Sequence, residues 1–128
     1  MKEPRWISRE ECLVLHEMML LRYGGLPGVR DPALLDAALA RPKERFASGV
    51  AGLAELAACY ATGIALARPF VSGDLASAFV IATTFLRCNG LLFTGRELPV
   101  VRTMLELAQA QETESHYALY LRCNCRAV

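Results

Sequence analysis

The chain has 128 residues, the length of one ordinary domain, and we expect residues 1–128 to form a single folding unit. Its net charge of +1 and its lack of Lys or Arg runs argue against nucleic-acid binding. Although 54% of the residues are hydrophobic, no stretch approaches the roughly 18 unbroken apolar residues of a membrane span. The N-terminal segment mixes charges with Pro4 and lacks a signal-peptide pattern, which predicts a cytoplasmic location.

The first predicted helix begins after Ser8. Ser8 and Glu11 have the spacing of a capping box, in which the serine hydroxyl accepts one backbone N–H and the glutamate reaches back to another. Apolar residues then repeat every three or four positions until Gly24-Gly25. These glycines predict the end of the helix.

A second, short helix is predicted after the loop GLPGVRD. Asp31 is a good N-cap, and Pro32 suits the first helical position, where no N–H is needed. We expect this helix to stop at Arg41-Pro42, because proline disrupts a helix interior. Residues 43–52 are polar and contain glycine, which indicates a loop or small flap.

Two apolar helices are predicted on either side of a short loop. Residues 53–67 are almost wholly apolar, which is typical of a central helix covered on most sides. Asp74 can cap another helix that runs to about Cys88 and stops at Asn89-Gly90. The loop between the two helices is Arg68–Gly73.

Two more helices are predicted in the last third of the chain. Thr94 and Glu97 form a second capping box, which opens a helix to about Ala110, and residues 112–125 form a final helix. No segment alternates with the period of two that a strand requires. The sequence therefore predicts an all-α fold, a compact domain of about six helices.

Three of the five cysteines are predicted to be reduced core residues. Cys12, Cys59 and Cys88 lie inside apolar helical patterns, where cysteine behaves as a small core hydrophobe. Cys123 and Cys125 form a C-x-C pair that could bind a metal, but zinc needs four ligands and the two histidines lie far apart in the sequence. We interpret this pair as bystanders on the terminal helix.

A second possible metal cluster is also discounted. Glu112, Glu114 and His116 have a spacing compatible with metal binding, but they fall on a polar helix face, where solvated side chains are the simpler interpretation. No metal site is therefore predicted.

A long run of family-like residues extends from about residue 7 to residue 90. It includes YGGLPGVRDPALLDAALARP, with its Gly-Gly, Gly-x-Arg-Asp and Leu-Leu-x-x-Ala-Leu-x-Arg-Pro patterns. The other matching positions are His16, Phe46, Leu56-Ala57-Ala58, Tyr60, Pro69-Phe70-Val71, Gly73, Ala78-Phe79 and Phe85-Leu86-x-x-Asn89-Gly90. These residues resemble the Fic/Doc proteins, and the death-on-curing (Doc) branch in particular. The resemblance implies a compact helical domain whose signature loop lies between two central helices.

The resemblance also implies a chemistry. Doc-like members resemble a phosphotransferase toxin whose substrate is translation elongation factor Tu, and Fic-like members transfer AMP to a protein hydroxyl. Their shared loop reads His-Pro-Phe-x-x-Gly-Asn-[Gly or Lys]-Arg, commonly with Asp before the Gly. The toxins are held by an antitoxin whose C-terminal helix lies in a groove.

The signature loop departs from this pattern at its chemical positions. Arg68 stands at the His position, Ser72 at the acidic position, Asp74 at the Asn, Leu75 at the Lys and Ala76 at the final Arg. A guanidinium stays charged up to a pH of about 12, so Arg68 cannot act as the general base.

The other replacements remove the groups that would handle phosphate and metal. Leu75 and Ala76 cannot neutralise phosphate charge, and Ser72 lacks a carboxylate for magnesium. Asp74 places a negative charge at the positive end of a helix, where a phosphate would bind. We therefore expect no catalytic residue and no cofactor.

The loop residues that match the family pattern have simple structural interpretations. Pro69 turns the chain, Phe70 fills the core and Gly73 permits a tight turn. As nucleotide-binding residues, Arg68 and Gly73 are only weak candidates. His16 on the first helix is interpreted as a packed histidine, although it is the only nearby candidate base.

Two classes of function follow from these residues. In the first, the chain is a degenerate Doc-like pseudoenzyme that acts by binding a protein, as an antitoxin-like helix in a groove. In the second, it is a diverged phosphotransferase or AMP-transferase acting on a protein hydroxyl, with Arg68 as phosphate clamp and His16 or Asp74 as base. An unrelated enzyme on the same fold is disfavoured, because the sequence offers no nucleophile–base pair. The replaced loop favours the first class.

Overall fold

The computed structural model describes residues 2–50, 52–95 and 114–128, and these ranges are mainly helical. The helices are α1 (Arg9–Tyr23), α2 (Pro32–Ala47), α3 (Leu53–Ala67), α4 (Asp74–Cys88) and α5 (Glu114–Cys123). Two strands, β1 (Leu91–Phe93) and β2 (Cys125–Ala127), pair antiparallel in a small sheet. The all-α prediction is confirmed, and the strands were not foreseen because three residues are too few to show a period of two.

The predicted helix from Thr94 to Ala110 lies largely outside the described residues. So does Glu112, where the last helix was expected to begin. Within the described residues the final helix covers Glu114–Cys123, and β2 follows it. Among the described helices, none combines the length and the apolar content needed to cross a bilayer.

The first helix has the predicted ends. The Ser8 hydroxyl accepts the Glu11 N–H at 3.1 Å, and the Glu11 carboxylate accepts the Ser8 N–H at 3.0 Å, which completes the capping box. Gly24, with φ of +82°, closes the helix by donating its N–H to the Leu20 carbonyl at 2.8 Å. Both signals act within a few residues, so the sequence alone could predict them.

The second helix begins as predicted and ends later than predicted. The Asp31 carboxylate accepts the Leu34 N–H at 3.1 Å, which confirms the N-cap. The helix then continues through Pro42 to Ala47, so the predicted stop at Arg41-Pro42 and the predicted loop over residues 43–47 are wrong. The Pro42 ring is fully buried, and burial of this apolar ring offsets the missing backbone hydrogen bond.

The third helix is the centre of the core. It packs against α2, α4 and α5, and most of its side chains are buried. Tyr60 is fully buried, and its hydroxyl accepts the Ile7 N–H at 3.0 Å, which fixes the chain entering α1. Burial raises the pKa of Tyr60 to about 12, so this phenol stays neutral under physiological conditions.

The cysteines follow the sequence prediction only in part. All five are free thiols, and Cys12 and Cys59 are buried as predicted. Cys88 is exposed at the end of α4, where Arg5 donates to its sulfur at 2.9 Å, so its assignment to the core is wrong. Cys123 ends α5 and Cys125 lies in β2, so the pair does not share one helix.

Candidate functional site

The candidate site is the loop between α3 and α4, residues 68–73. On one side lies α1, and on another lies the segment that joins α1 to α2. Arg68 closes α3 in the left-handed conformation, with φ of +50° and ψ of +58°. That conformation costs a non-glycine residue roughly 1–2 kcal/mol, so neighbouring contacts must hold it in place.

Arg30 supplies those contacts. Its Nε and Nη2 atoms donate to the Arg68 carbonyl at 2.9 and 2.6 Å, and Nη2 also donates to the Ala67 carbonyl at 2.9 Å. A guanidinium is favourable at a helix C-terminus, where the last carbonyls carry partial negative charge. Arg30 therefore fixes the start of the loop through its backbone rather than through the Arg68 side chain.

Backbone hydrogen bonds join the loop to the residues before α2. The N–H groups of Arg30 and Asp31 donate to the Pro69 carbonyl at 2.6 and 3.1 Å, and the Val71 N–H donates to the Gly28 carbonyl at 3.1 Å. Together with the Asp31 cap, these bonds make Arg30-Asp31 a pair that fixes the loop and also caps α2. Three backbone hydrogen bonds therefore hold the loop against the segment before α2.

Phe70 and His16 pack together beneath the loop. Their rings stack at 3.8 Å between centroids and 7° between planes, and both side chains are buried. The His16 Nε2 atom lies 2.8 Å from the Ser72 carbonyl oxygen. Because a carbonyl can only accept, Nε2 carries the proton and donates it. His16 is thus a packed histidine, as expected.

The Gly-Gly pair after α1 is explained by its closeness to this loop. Gly25 adopts φ of +129°, and a Cβ at this position would lie 2.9 Å from the Ser72 Cβ. Any larger residue would force the loop away from α1. The sequence indicated a helix end here, but the packing contact also requires glycine.

The first residue of α4 is an acid that points back into the loop. Gly73, with φ of +79°, occupies the N-cap position, and Asp74 is the first helical residue. The Asp74 carboxylate accepts the Phe70 N–H at 3.0 Å, so the prediction of Asp74 as the N-cap is wrong. Gly73 takes that position because the turn into α4 needs a positive φ.

The environment of Asp74 disfavours its charge. Burial raises the pKa of this carboxyl group above its ordinary value, and the Phe70 hydrogen bond and the electrostatic influence of His16, Arg30 and Arg68 oppose that increase. An ionised carboxylate is therefore held, at some cost, at the amino end of α4.

Comparison with known proteins identifies the family. Residues 6–86 match the family model described as Fic/DOC family. The chain is also 38% identical over 96 residues to the protein named "Protein kinase doc" of Escherichia phage P1, an alignment that covers 73% of this chain and 76% of that protein. The chain belongs to the Fic/DOC family. Its similarity to the phage protein makes it a Doc-like member, as the sequence patterns indicated.

Within the Fic/DOC family pattern, the loop keeps its backbone elements and loses its ionic ones. Phe70 is buried and Gly73 has a positive φ, whereas Leu75 and Ala76 put half-buried apolar side chains in the first turn of α4. Arg68 is exposed at the start of the loop. Among its own residues, the first turn of this helix therefore carries one acid, Asp74, and no Lys or Arg.

The pH dependence of stability should reveal the cost of the Asp74 charge. In Asp74→Asn the amide oxygen can still accept the Phe70 N–H, but no charge is buried. Because the folded-state pKa of Asp74 is raised, its ionisation lowers the stability of the wild type at neutral pH. We expect Asp74→Asn to have the larger free energy of unfolding at pH 7.

The stability difference between Asp74→Asn and the wild type should shrink as the pH falls through the raised pKa of Asp74. It should disappear below about pH 3.9, where the carboxyl is protonated in both the folded and the unfolded state. Urea denaturation at several pH values measures this difference in the free energy of unfolding. Asp36→Asn, at an exposed position on α2, serves as the control. A loss of stability in Asp74→Asn that grows as the pH rises would show instead that the ionised Asp74 carboxylate is stabilising.

The metal candidates do not converge on this loop. Glu114 forms ion pairs with Arg41, at 2.8 Å, and with Arg45, which joins α5 to α2. Within residues 2–50, 52–95 and 114–128, no three His, Cys, Asp or Glu side chains are grouped so that they could hold a metal ion. Glu112 lies outside these ranges.

Sequence reasoning missed which groups Arg30 and Asp74 bind. The carbonyls that Arg30 contacts are 37 and 38 residues away along the chain, so no local pattern could indicate them. The N-cap was predicted at Asp74, one residue too late, because an acid at the start of a helix usually caps it. The glycine before Asp74 was the available signal, since glycine is also an acceptable N-cap.

Proposed function

We propose that this protein is a Doc-like relative of toxin–antitoxin systems that has lost phosphoryl and AMP transfer and acts by binding a partner protein. One observation carries the proposal: the Asp74 carboxylate lies at the amino end of α4 and is bonded to the Phe70 N–H. A phosphate would need that positive helix end, and the carboxylate repels it. Neither of the next two residues supplies a compensating cation.

The possible general bases are also engaged. Arg68 stays protonated, and His16 uses Nε2 to donate to the Ser72 carbonyl. Of the three candidates Arg68, His16 and Asp74, only Asp74 could accept a proton from a target hydroxyl, and its Oδ1 atom already accepts the Phe70 N–H. Efficient transfer needs a free base and a charge clamp together, so these contacts support loss of transfer.

A diverged transferase is the second candidate. Two observations favour it: the pKa of Asp74 is raised, which makes it a better base than an ordinary carboxylate, and Arg68 is exposed beside it in the loop. In that case Asp74 would take the proton and Arg68 would hold the phosphate. The turn at Gly73 would present the Asp74 carboxylate and the Arg68 guanidinium to the substrate.

The proposed partner is a protein, because binding a helix requires an apolar surface and no catalytic group. Several large apolar side chains are exposed on α1 and in the loop, among them Met18, Leu21 and Val71. An antitoxin-like helix is the kind of ligand that the family resemblance suggests. Neither nucleic acid nor a membrane is proposed as a partner.

Transfer of label tests the proposal. The protein is incubated with labelled ATP, magnesium and elongation factor Tu, with the phage doc protein as a parallel reaction. We expect the factor to remain unlabelled by this chain. Label transfer that disappears in Asp74→Ala would contradict the pseudoenzyme proposal and establish the diverged transferase.

A further inference from the structure

A pocket lies at the amino end of α3, where that helix meets the two-stranded sheet. It is lined by residues 52–55, by Leu91 of β1, by Arg122 near the end of α5 and by the three residues of β2. Its volume of about 320 Å³ is at the lower end of the roughly 300–1,000 Å³ of small-molecule sites. We call it the sheet pocket.

The sheet pocket is separate from the signature loop. It adjoins Gly52, which precedes α3, whereas the loop begins at Arg68, where α3 ends. At 1.5 Å per residue, the 15 residues of α3 place the two ends of this helix about 22 Å apart. A small ligand in the sheet pocket therefore does not contact the loop.

Most of the pocket wall is apolar. Ala54 is buried, and Leu53, Leu91 and Cys125 are half-buried along it. Burial raises the pKa of the Cys125 thiol, so this sulfur is neutral at pH 7 and behaves as part of the apolar wall. A ligand that fills the pocket must therefore have an apolar body.

One arginine at the pocket has no acidic partner. Arg122 and Glu55, which both line the pocket, form an ion pair with each other. Arg126 of β2 is exposed, and among the residues that the structure describes no carboxylate pairs with it. The pocket therefore carries one positive charge that is not neutralised.

The amino end of α3 acts on a ligand's charge in the same direction as Arg126. Gly52 occupies the N-cap position and has no side chain that could accept an N–H group of the first turn. The partial positive charge of this helix end therefore adjoins the pocket. Glu55 lies in the same turn, but Arg122 neutralises it.

We propose that the sheet pocket binds a small monocarboxylate with an apolar body of about six carbons. Its carboxylate contacts the Arg126 guanidinium, which can hold it with two parallel hydrogen bonds, and its chain packs on Leu53 and Leu91. A phosphate dianion fits less well, because the pocket has one uncompensated charge and an apolar wall that would desolvate the second. This binding is independent of the proposed function of the loop.

Hexanoate and hexanol test the charge preference of the sheet pocket. The two probes have the same chain, and only hexanoate carries a charge. Both are titrated into the full chain by ligand-observed NMR. We expect hexanoate to bind with a Kd on the order of 1 mM, and hexanol to bind at least about tenfold more weakly because it lacks the charge-assisted hydrogen bond to Arg126.

Three variants locate the binding site. Arg126→Gln should weaken hexanoate by about tenfold and leave hexanol unchanged. Arg87→Gln removes the same charge from an exposed position at the end of α4, outside the pocket, and should change neither probe. Ala127→Leu should weaken both probes by about fivefold or more, because the larger side chain occupies their volume. Circular dichroism checks that every variant is folded.

The Cys125 thiol gives a second readout that needs no substitution. Iodoacetamide alkylates free thiols, and tandem mass spectrometry follows each cysteine separately. Hexanoate at about ten times its Kd should slow the alkylation of Cys125 by about tenfold, because only about a tenth of the pockets remain empty. Cys88 is exposed outside the pocket, and its alkylation should not change.

Several outcomes overturn the proposal. These are no binding of hexanoate at about 10 mM, equal binding of hexanoate and hexanol, or equal effects of Arg126→Gln and Arg87→Gln. Equal slowing of Cys88 and Cys125 alkylation would also overturn it, because hexanoate would then act without a defined site. Label transfer by the loop leaves these results untouched, so the two proposals can fail separately.

Discussion

A fourfold variant of the loop will bind ATP or GTP about a hundredfold more tightly than the unmodified protein. The variant carries Arg68→His, Asp74→Asn, Leu75→Lys and Ala76→Arg, which restores the family pattern at those positions. It removes the carboxylate from the amino end of α4 and adds two cations to its first turn. Two charge-assisted hydrogen bonds at about 1.5–3 kcal/mol each account for a hundredfold or more.

The backbone of the loop is already suited to this restoration. Gly73 has the positive φ of the turn, and Phe70 is anchored in the core. For the unmodified protein we expect no binding below about 1 mM, measured by calorimetric titration.

A matched control adds the same net charge elsewhere. The fourfold change adds two positive charges overall, and so does Ser115→Lys with Leu119→Arg on the exposed side of α5. This control should bind nucleotide no better than the unmodified protein, because the effect depends on position. Micromolar binding by the unmodified protein would mean that Arg68 and the Gly73 turn still form a phosphate site, and the pseudoenzyme proposal would then be dropped.

Phe70→Ala will lower the free energy of unfolding by about 3–5 kcal/mol, the largest stability effect that we expect in the loop. The Phe70 side chain is 1% exposed and stacks on His16, so its removal leaves a cavity between α1 and the loop. Urea denaturation followed by circular dichroism measures the loss.

Val71→Ala is the control for this change, because Val71 is the next residue in the loop and is 48% exposed. It should cost less than about 1 kcal/mol. An equally small loss of unfolding free energy in Phe70→Ala would show that the loop is not anchored in the core. It would also weaken the view that the loop keeps the backbone of the family's signature loop.

Features encoded over a few neighbouring residues were predictable. The Ser8–Glu11 capping box, the Asp31–Pro32 helix start and the apolar run of α3 each depend on local hydrogen bonds or on periodicity, and the structure confirms them. The chemical departures of the loop were likewise visible, because they are a matter of residue identity.

Features that depend on distant packing were decided by the tertiary structure. The sequence could not show that Pro42 is buried, and this burial is what lets α2 run on to Ala47. It could not show that Cys88 lies at an exposed helix end, since the apolar pattern around it is the same for both outcomes.

The six-residue loop also combines features that the sequence predicts with features that only the tertiary structure decides. The sequence by itself determined the family resemblance and the residues that replace the chemical positions of the signature loop, because residue identity does not depend on the fold. Only the tertiary structure decided that Arg30 holds the end of α3, that His16 donates to the Ser72 carbonyl and that Asp74 bonds to the Phe70 N–H. The contacts of Arg30 and His16 join residues 37 to 56 positions apart, and that of Asp74 depends on how the loop folds back. Such contacts arise from the packing of α1, α3 and α4, which no local pattern records.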